Sequence, residues 1–253
     1  MKGRAYRRKT IAEAGQFETV AAMEDDFHHF AVRLRHDGSH VTELTGEAVR
    51  FPWSTCPGAV AKLDELIGAP LFPRPDDPGP RPPINEQCTH LFDIAKFAIA
   101  QSARALAARG GRRQYDIVIP DPVDGSTAGD LSRDGVHLLH WVVEKRIVVA
   151  PPAFAGHRLP GRAEWPAGAI ADADALEAAL MLRRALVIFR GRMSEYPEVT
   201  SADQVPGGFG SCFTYLPENA SSGRWVMDEK NYTASAEPLL AGFDRRLSLG
   251  RNS

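Results

Sequence analysis

Two short stretches gather the side chains best able to do chemistry: Phe51-Pro-Trp-Ser-Thr-Cys56-Pro-Gly-Ala and Cys88-Thr-His90-Leu-Phe-Asp93. Each puts a cysteine where a helix is expected to begin. Helix starts offer unpaired backbone N–H groups and a positive dipole end, and a thiol placed there has its thiolate favoured. A third group, Asp26-Phe27-His28-His29, adds an acid and two histidines. His28 and His90 can act as general acid or base near neutral pH, with Asp26 orienting a histidine or accepting a proton. Adjacent strand residues face opposite ways, so at most one of His28 and His29 points into a common pocket, and His28 is preferred. Phe27, Trp53 and Phe92 can stack an aromatic ligand or fill core. Cys56 and Cys88 either line the pocket or serve as small buried hydrophobes. Cys56, Cys88, His28 and His90 would also make a tetrahedral metal set, but no tight Cys-x-x-Cys spacing marks one. The expectation is a site with no metal and no cofactor. Glu24-Asp25-Asp26 has the plainer alternative of a solvated acidic edge.

The elements that must hold these groups are legible in the pattern. Arg8 to Gly15 and Gln16 to Met23 pair as opening strands. His28 to Arg35 alternates with period two, and His36-Asp37-Gly38-Ser39 is a hairpin turn into His40 to Phe51, with Gly46 as a candidate bulge. A helix starts at Thr55 or Cys56, with Pro57 in its first turn and Gly68 as its stop. Pro70 to Pro83 reads as a loop. A second helix starts near Cys88-Thr89; Leu91, Ile94, Ala95, Ala98, Ser102, Ala105 and Leu106 form its packed face, and Gly110-Gly111 end it. Strands follow at Tyr115 to Pro120, Val136 to Val143 and Arg146 to Ala150, with turns at Asp124-Gly125 and Asp134-Gly135. Asp174-Ala-Leu-Glu177 reads as a capping box for a helix over about 172–190. Cys212 to Tyr215 suggests one short strand in an irregular C-terminal wrap. No internal sequence repeat is visible.

These elements define an α+β fold, an antiparallel sheet with helices packed on one face. Residues 1–110 carry the Cys/His pocket. Residues 111–253 form a second, β-rich half with one long helix, and the two make one compact unit. The chain has 253 residues, 43% of them hydrophobic, enough for a substantial core. A net charge of -2 gives no support for nucleic-acid binding, and Arg7-Arg8, Arg112-Arg113 and Arg183-Arg184 read as solvated faces. Three cysteines argue for a reducing compartment rather than a disulfide framework. No signal-like apolar region and no membrane-length apolar run is present, so a soluble cytoplasmic protein is expected. No Gly-rich phosphate loop or Gly-x-Ser-x-Gly elbow appears.

Asp26-Phe27-His28, His36-Asp37-Gly38, Thr55-Cys56-Pro57-Gly58-Ala59, Cys88-Thr89-His90-Leu91-Phe92-Asp93 and Pro151-Pro152-Ala153-Phe154-Ala155-Gly156 resemble a proteobacterial family, domain of unknown function 2889. That resemblance implies aromatic catabolism, including removal of formaldehyde from lignin-derived two-ring phenols. Residues 25–108 also resemble the scaffold domain of NifU-type iron–sulfur assembly proteins, with Cys56 and Cys88 at two of that family's three cysteine positions. The first cysteine position holds Asp26, Phe27 and His28 instead. The reading is a cofactor-independent carbon–carbon lyase. It uses His28, His90 and Asp26 as acid and base, with Phe27, Trp53, Cys56, Cys88 and Phe92 at the substrate. The alternatives are a metal- or cluster-binding accessory protein and a binding module without chemistry. The implied partner is a small aromatic substrate, with a homodimer allowed and no nucleic acid or membrane.

Overall fold

The structure, a computed structural model, describes residues 4–74, 83–108, 110–159, 164–193, 199–208, 210–227 and 238–244. Eight antiparallel strands form one sheet: β1 (Ala5–Ala14), β2 (Glu18–Asp25), β3 (His29–His36), β4 (Val41–Arg50), β5 (Gly111–Pro120), β6 (Ser126–Arg133), β7 (Val136–Glu144) and β8 (Ile147–Ala150). Their order across the sheet is β4-β3-β2-β1-β5-β6-β7-β8. The two halves of the chain therefore meet along β1 and β5, from Ala5 opposite Pro120 to Ala14 opposite Gly111. β6 is the strand the sequence pattern did not predict. The turns at Asp124-Gly125 and Asp134-Gly135 bracket it, and both glycines take positive φ.

The helices α1 (Thr89–Ala108) and α2 (Ala173–Ile188) lie on one face of the sheet. α1 covers β1 to β3 and α2 covers β5 to β7. A 3₁₀ run, Cys56–Leu66, precedes α1 and a shorter one, Pro152–Phe154, precedes α2. Four strands, a 3₁₀ run and a helix thus occur twice, so a repeat of element order exists where no sequence repeat is visible. The opposite face of the first half is covered by Leu240 and Phe243, which pack with Ile11, Val20, Ala22 and Ala31. Among the described residues no helix is long and apolar enough to cross a membrane.

Local chemistry explains most boundaries. Asp37 Oδ1 accepts from the Ser39 and His40 amides at 2.8 Å each, and Gly38 sits at φ +101°, which fixes the predicted hairpin. Gly46 is not a bulge: it pairs with Val32 in regular register, and the shifts lie at either end of β4. Its role is clearance. A Cβ there would meet Leu63 Cδ1 at 2.7 Å and Leu91 Cδ2 at 3.5 Å, so glycine lets the 3₁₀ run and α1 press onto the sheet. The α1 face is as predicted except for Leu106, which is exposed. The cap of α2 is Asp172, whose Oδ1 accepts from Ala175 N at 2.8 Å, two residues before the predicted box. Cys212–Tyr215 is not a strand; Phe213–Tyr215 forms a 3₁₀ turn capped by Cys212. The predicted loop at 70–83 falls mostly on residues outside those described, as does much of the C-terminal wrap.

The basic pairs are not all solvated faces. Arg8 is buried against Asp25. Arg113 reaches Asp174 at 2.8 Å and Glu177 at 3.0 Å, and Arg184 reaches Asp93 at 2.5 Å. Leu63→Ala removes a fully buried side chain and is expected to cost about 2–5 kcal/mol. Gly46→Ala is expected to cost about 1–3 kcal/mol by overpacking, whereas Leu106→Ala stays within about 0.5 kcal/mol of wild type. Denaturant midpoints for the three variants check this order.

Candidate functional site

The Arg8 position on β1 lies directly opposite Asp25, the last residue of β2. Both side chains face the helices and neither is appreciably exposed. Asp25 Oδ2 accepts from the Tyr6 hydroxyl at 2.7 Å, from Arg8 Nη2 at 2.6 Å and from Arg8 Nε at 3.1 Å. Asp25 Oδ1 accepts from the Phe27 amide at 2.9 Å and the His28 amide at 2.7 Å, and lies 3.0 Å from His28 Nδ1. The three-residue loop Asp26-Phe27-His28 between β2 and β3 thus wraps its amides around the carboxylate that precedes it. Burial alone would raise Asp25. The charges of His28 and Arg8 and the His28 hydrogen bond outweigh it and hold the acid well below the usual carboxylate range.

His90, the second residue of α1, stacks on His28 with ring centroids 3.8 Å apart and planes 26° from parallel. Phe30 lies 5.9 Å from each imidazole in a stacked arrangement. Burial, reinforced by the charges of His28 and Arg8, holds His90 well below the ordinary histidine value, so this imidazole is neutral. Two imidazolium ions at this separation would repel by about 4 kcal/mol at an effective dielectric constant near 20. The two rings are therefore not both charged at once. His90 Nε2 is buried and has no hydrogen-bond partner, and among the described residues nothing bonds His28 Nε2. With Nδ1–H donated to Asp25, His28 presents Nε2 as a base beside a neutral second imidazole.

The donor atoms of Asp25, His28 and His90 lie within 4.8 Å of one another, which raises a metal site. The residues do not fit one. Each Asp25 oxygen already faces three donors, leaving no lone pair for an ion. The rings are stacked rather than convergent. An ion about 2.0–2.1 Å from a nitrogen of each would stand about half of the 3.8 Å separation out of both ring planes.

The predicted site residues divide. His28 and His90 come together as expected. The acid beside them is Asp25, read from sequence only as part of a solvated edge, and not Asp26. Asp26 points to the second half, where it pairs with Arg192, which also bonds Asp121 at 3.2 Å. Burial pushes Asp26 up to about 6 against the pull of Arg192. Phe27 is buried beside His28, with rings 6.1 Å apart, and packs on Gly191. Phe92 is buried, but it lies two residues along α1 from His90 and so on another side of the helix. The ring contacts of Trp53 are with Tyr215 and Trp225, and Trp53 Nε1 donates to the Tyr215 hydroxyl at 3.1 Å.

Cys56 and Cys88 do lie near each other: the Cys56 charge raises Cys88. Thr214 Oγ1 touches Cys56 Sγ at 3.4 Å, and the Phe213 amide donates to the Gln87 carbonyl at 3.0 Å, which brings in Cys212. Burial pushes the Cys56 thiol up to about 11 and raises Cys88 and Cys212 too. The expected thiolate is not favoured, because desolvation exceeds what a helix start supplies. Sequence reasoning missed Tyr6, Arg8, Asp25 and Phe30. The available signal was the alternation Tyr6-x-Arg8 on a strand beside the acidic end of the next one.

Asp25→Ala leaves Arg8 buried and unpaired and is expected to cost about 3–5 kcal/mol, read from the denaturant midpoint. The pH dependence of stability tests two opposed groups. His90 is depressed, so its contribution is full above about 6.5 and is lost as pH falls below that. Asp26 is raised, so its contribution is full below about 3.9 and is lost as pH rises through about 6. The slopes oppose up to about pH 6, where Asp26 loses its proton. Asp26→Asn is therefore expected to rise more steeply in stability with pH across that window than wild type, and His90→Phe less steeply.

No protein-family model matches this chain, and no curated protein matches it.

Proposed function

We propose that Asp25, His28 and His90 are the acid/base centre of a cofactor-independent lyase acting on a small phenolic compound. The observation that carries the reading is a histidine fixed at Nδ1 by a buried carboxylate, with a second, neutral imidazole stacked on it. The substrate class rests on the family resemblance: a lignin-derived, two-ring phenol bearing a hydroxymethyl group. His28 Nε2 takes the hydroxyl proton. The carbon–carbon bond breaks, the oxygen's electrons form the carbonyl of formaldehyde, and the freed carbon pair forms a C=C bond. An oxygen substituent on the adjacent carbon leaves and receives that proton back from His28, while the neutral His90 N–H donates a hydrogen bond to it as charge develops. Phe27 and Phe30 supply the apolar wall.

Formaldehyde release from a panel of phenolic dimers, with and without a chelator, tests this. His28→Ala and His90→Ala are each expected to lower turnover by roughly 10²–10⁴, with phenol binding weakened far less. Cys56→Ala is expected to have little effect, since no thiolate takes part. Activity lost to chelation, wild-type activity retained in both histidine variants, or no release from any dimer by wild type would overturn the reading.

A further inference from the structure

The loop that carries His28 is held from two sides. Its amides at Phe27 and His28 point to Asp25 Oδ1. Its carbonyls turn the other way and converge on Arg50, the last residue of β4. Arg50 Nη1 donates to the Asp26 carbonyl at 2.7 Å, and Nη2 donates to the Asp25 carbonyl and, at 3.4 Å, to the His28 carbonyl. Three carbonyl dipoles aimed at one point are satisfied there by one guanidinium.

A second observation shows how the guanidinium comes to be there. Leu44, Gly46 and Ala48 of β4 face the helices, and regular alternation would aim Arg50 the same way. The pairing shifts instead from Phe30 opposite Ala48 to His29 opposite Arg50, so Val49 is an extra residue. This bulge turns Arg50 to the other face of the sheet, behind the loop. Glu24 lies there, with Oε1 3.4 Å from Arg50 Nη2 and Oε2 accepting the Leu240 amide at 2.7 Å. The carboxylate is buried and tied to the 238–244 segment, so it aims the guanidinium rather than trailing in solvent.

We propose that Arg50 is a positioning residue that sets the direction of the His28 imidazole by clamping the carbonyls of Asp25, Asp26 and His28. Arg50 touches no reacting group; it acts through the loop. The bulge at Val49 and the Glu24 carboxylate are what place it. The role attributed to His28 rests on the acid/base reading above, but the clamp is testable without any substrate.

Amide hydrogen exchange and the His28 ring N–H proton resonance are followed in the full chain, wild type and Arg50→Ala. The expected result is exchange at Phe27 and His28 faster by roughly tenfold or more, the scale of a lost charge-assisted hydrogen bond, with loss of the protected ring proton. Guanidinium ion at sub-denaturing concentration is expected to restore both. Amides of β5 to β7 stay as in wild type, which separates a local clamp from general loosening. Unchanged Phe27 and His28 exchange in folded Arg50→Ala overturns the proposal, as does a uniform rise across the sheet. Should Arg50→Ala not fold, Arg50→Gln decides by the same measurements. If the clamp is found but no phenolic dimer is cleaved, the lyase reading fails while the positioning role stands. If both hold, Arg50→Ala lowers kcat and leaves KM near wild type.

Discussion

The carboxylate of Asp25 is a negative charge with no access to water, and the site is arranged around the need to satisfy it. A buried ion is tolerable only when it is paired and its lone pairs are filled. Three elements meet that need: β1 through Tyr6 and Arg8, the loop amides of Phe27 and His28, and the His28 ring. The result is a short loop with little freedom, ending in a histidine of fixed direction. A mobile surface histidine could not be aimed in this way.

The second half shows the same plan with its charges rearranged. Arg8 opposite Asp25 in the first half corresponds to Tyr115 opposite Arg133 in the second. His90 is the second residue of α1, and Asp174 is the second residue of α2. Arg133 reaches Asp174 at 2.8 Å, and the buried Glu177 accepts from Tyr115 at 2.8 Å, from Arg113 at 3.0 Å and from Arg104 at 2.7 Å. Glu177 thereby closes its half with ion pairs and holds strand to helix. In the first half the helix start brings an imidazole with a buried nitrogen that has no partner. One scaffold carries a closed cluster and an open one.

Burial acts in opposite senses on the two kinds of reactive side chain. It disfavours the charged form of every group it covers. For Cys56 and Cys88 the charged form is the reactive one, so desolvation leaves two quiet thiols. For His90 the neutral form is a usable hydrogen-bond donor and base, so the same desolvation keeps it neutral through its ordinary titration range and below it. Proximity to a helix start is shared by all three; the difference lies in which protonation state does the chemistry.

The elements and much of the neighbourhood of the histidines are encoded locally in the chain. Period-two alternation gave β3, Asp37-Gly38 gave its hairpin, and helical spacing with Cys88-Thr89 gave α1 and hence the place of His90. These are local signals, carried by residues within one turn or one strand of each other. Which acid joins the histidines is set by packing between distant elements. Asp25 and Asp26 are neighbours of one type, but one ends a strand and faces Arg8 while the other opens the loop and faces Arg192, partners 17 and 166 residues away. The stacking of His28 on His90 likewise requires β2, β3 and α1 to be packed before the two rings can meet. Arg50 depends on a single extra residue in an edge strand, Val49, which no periodicity marks in advance. Register and packing are set by contacts far apart in the chain, so the sequence placed the candidate site, and the assembled sheet chose its members.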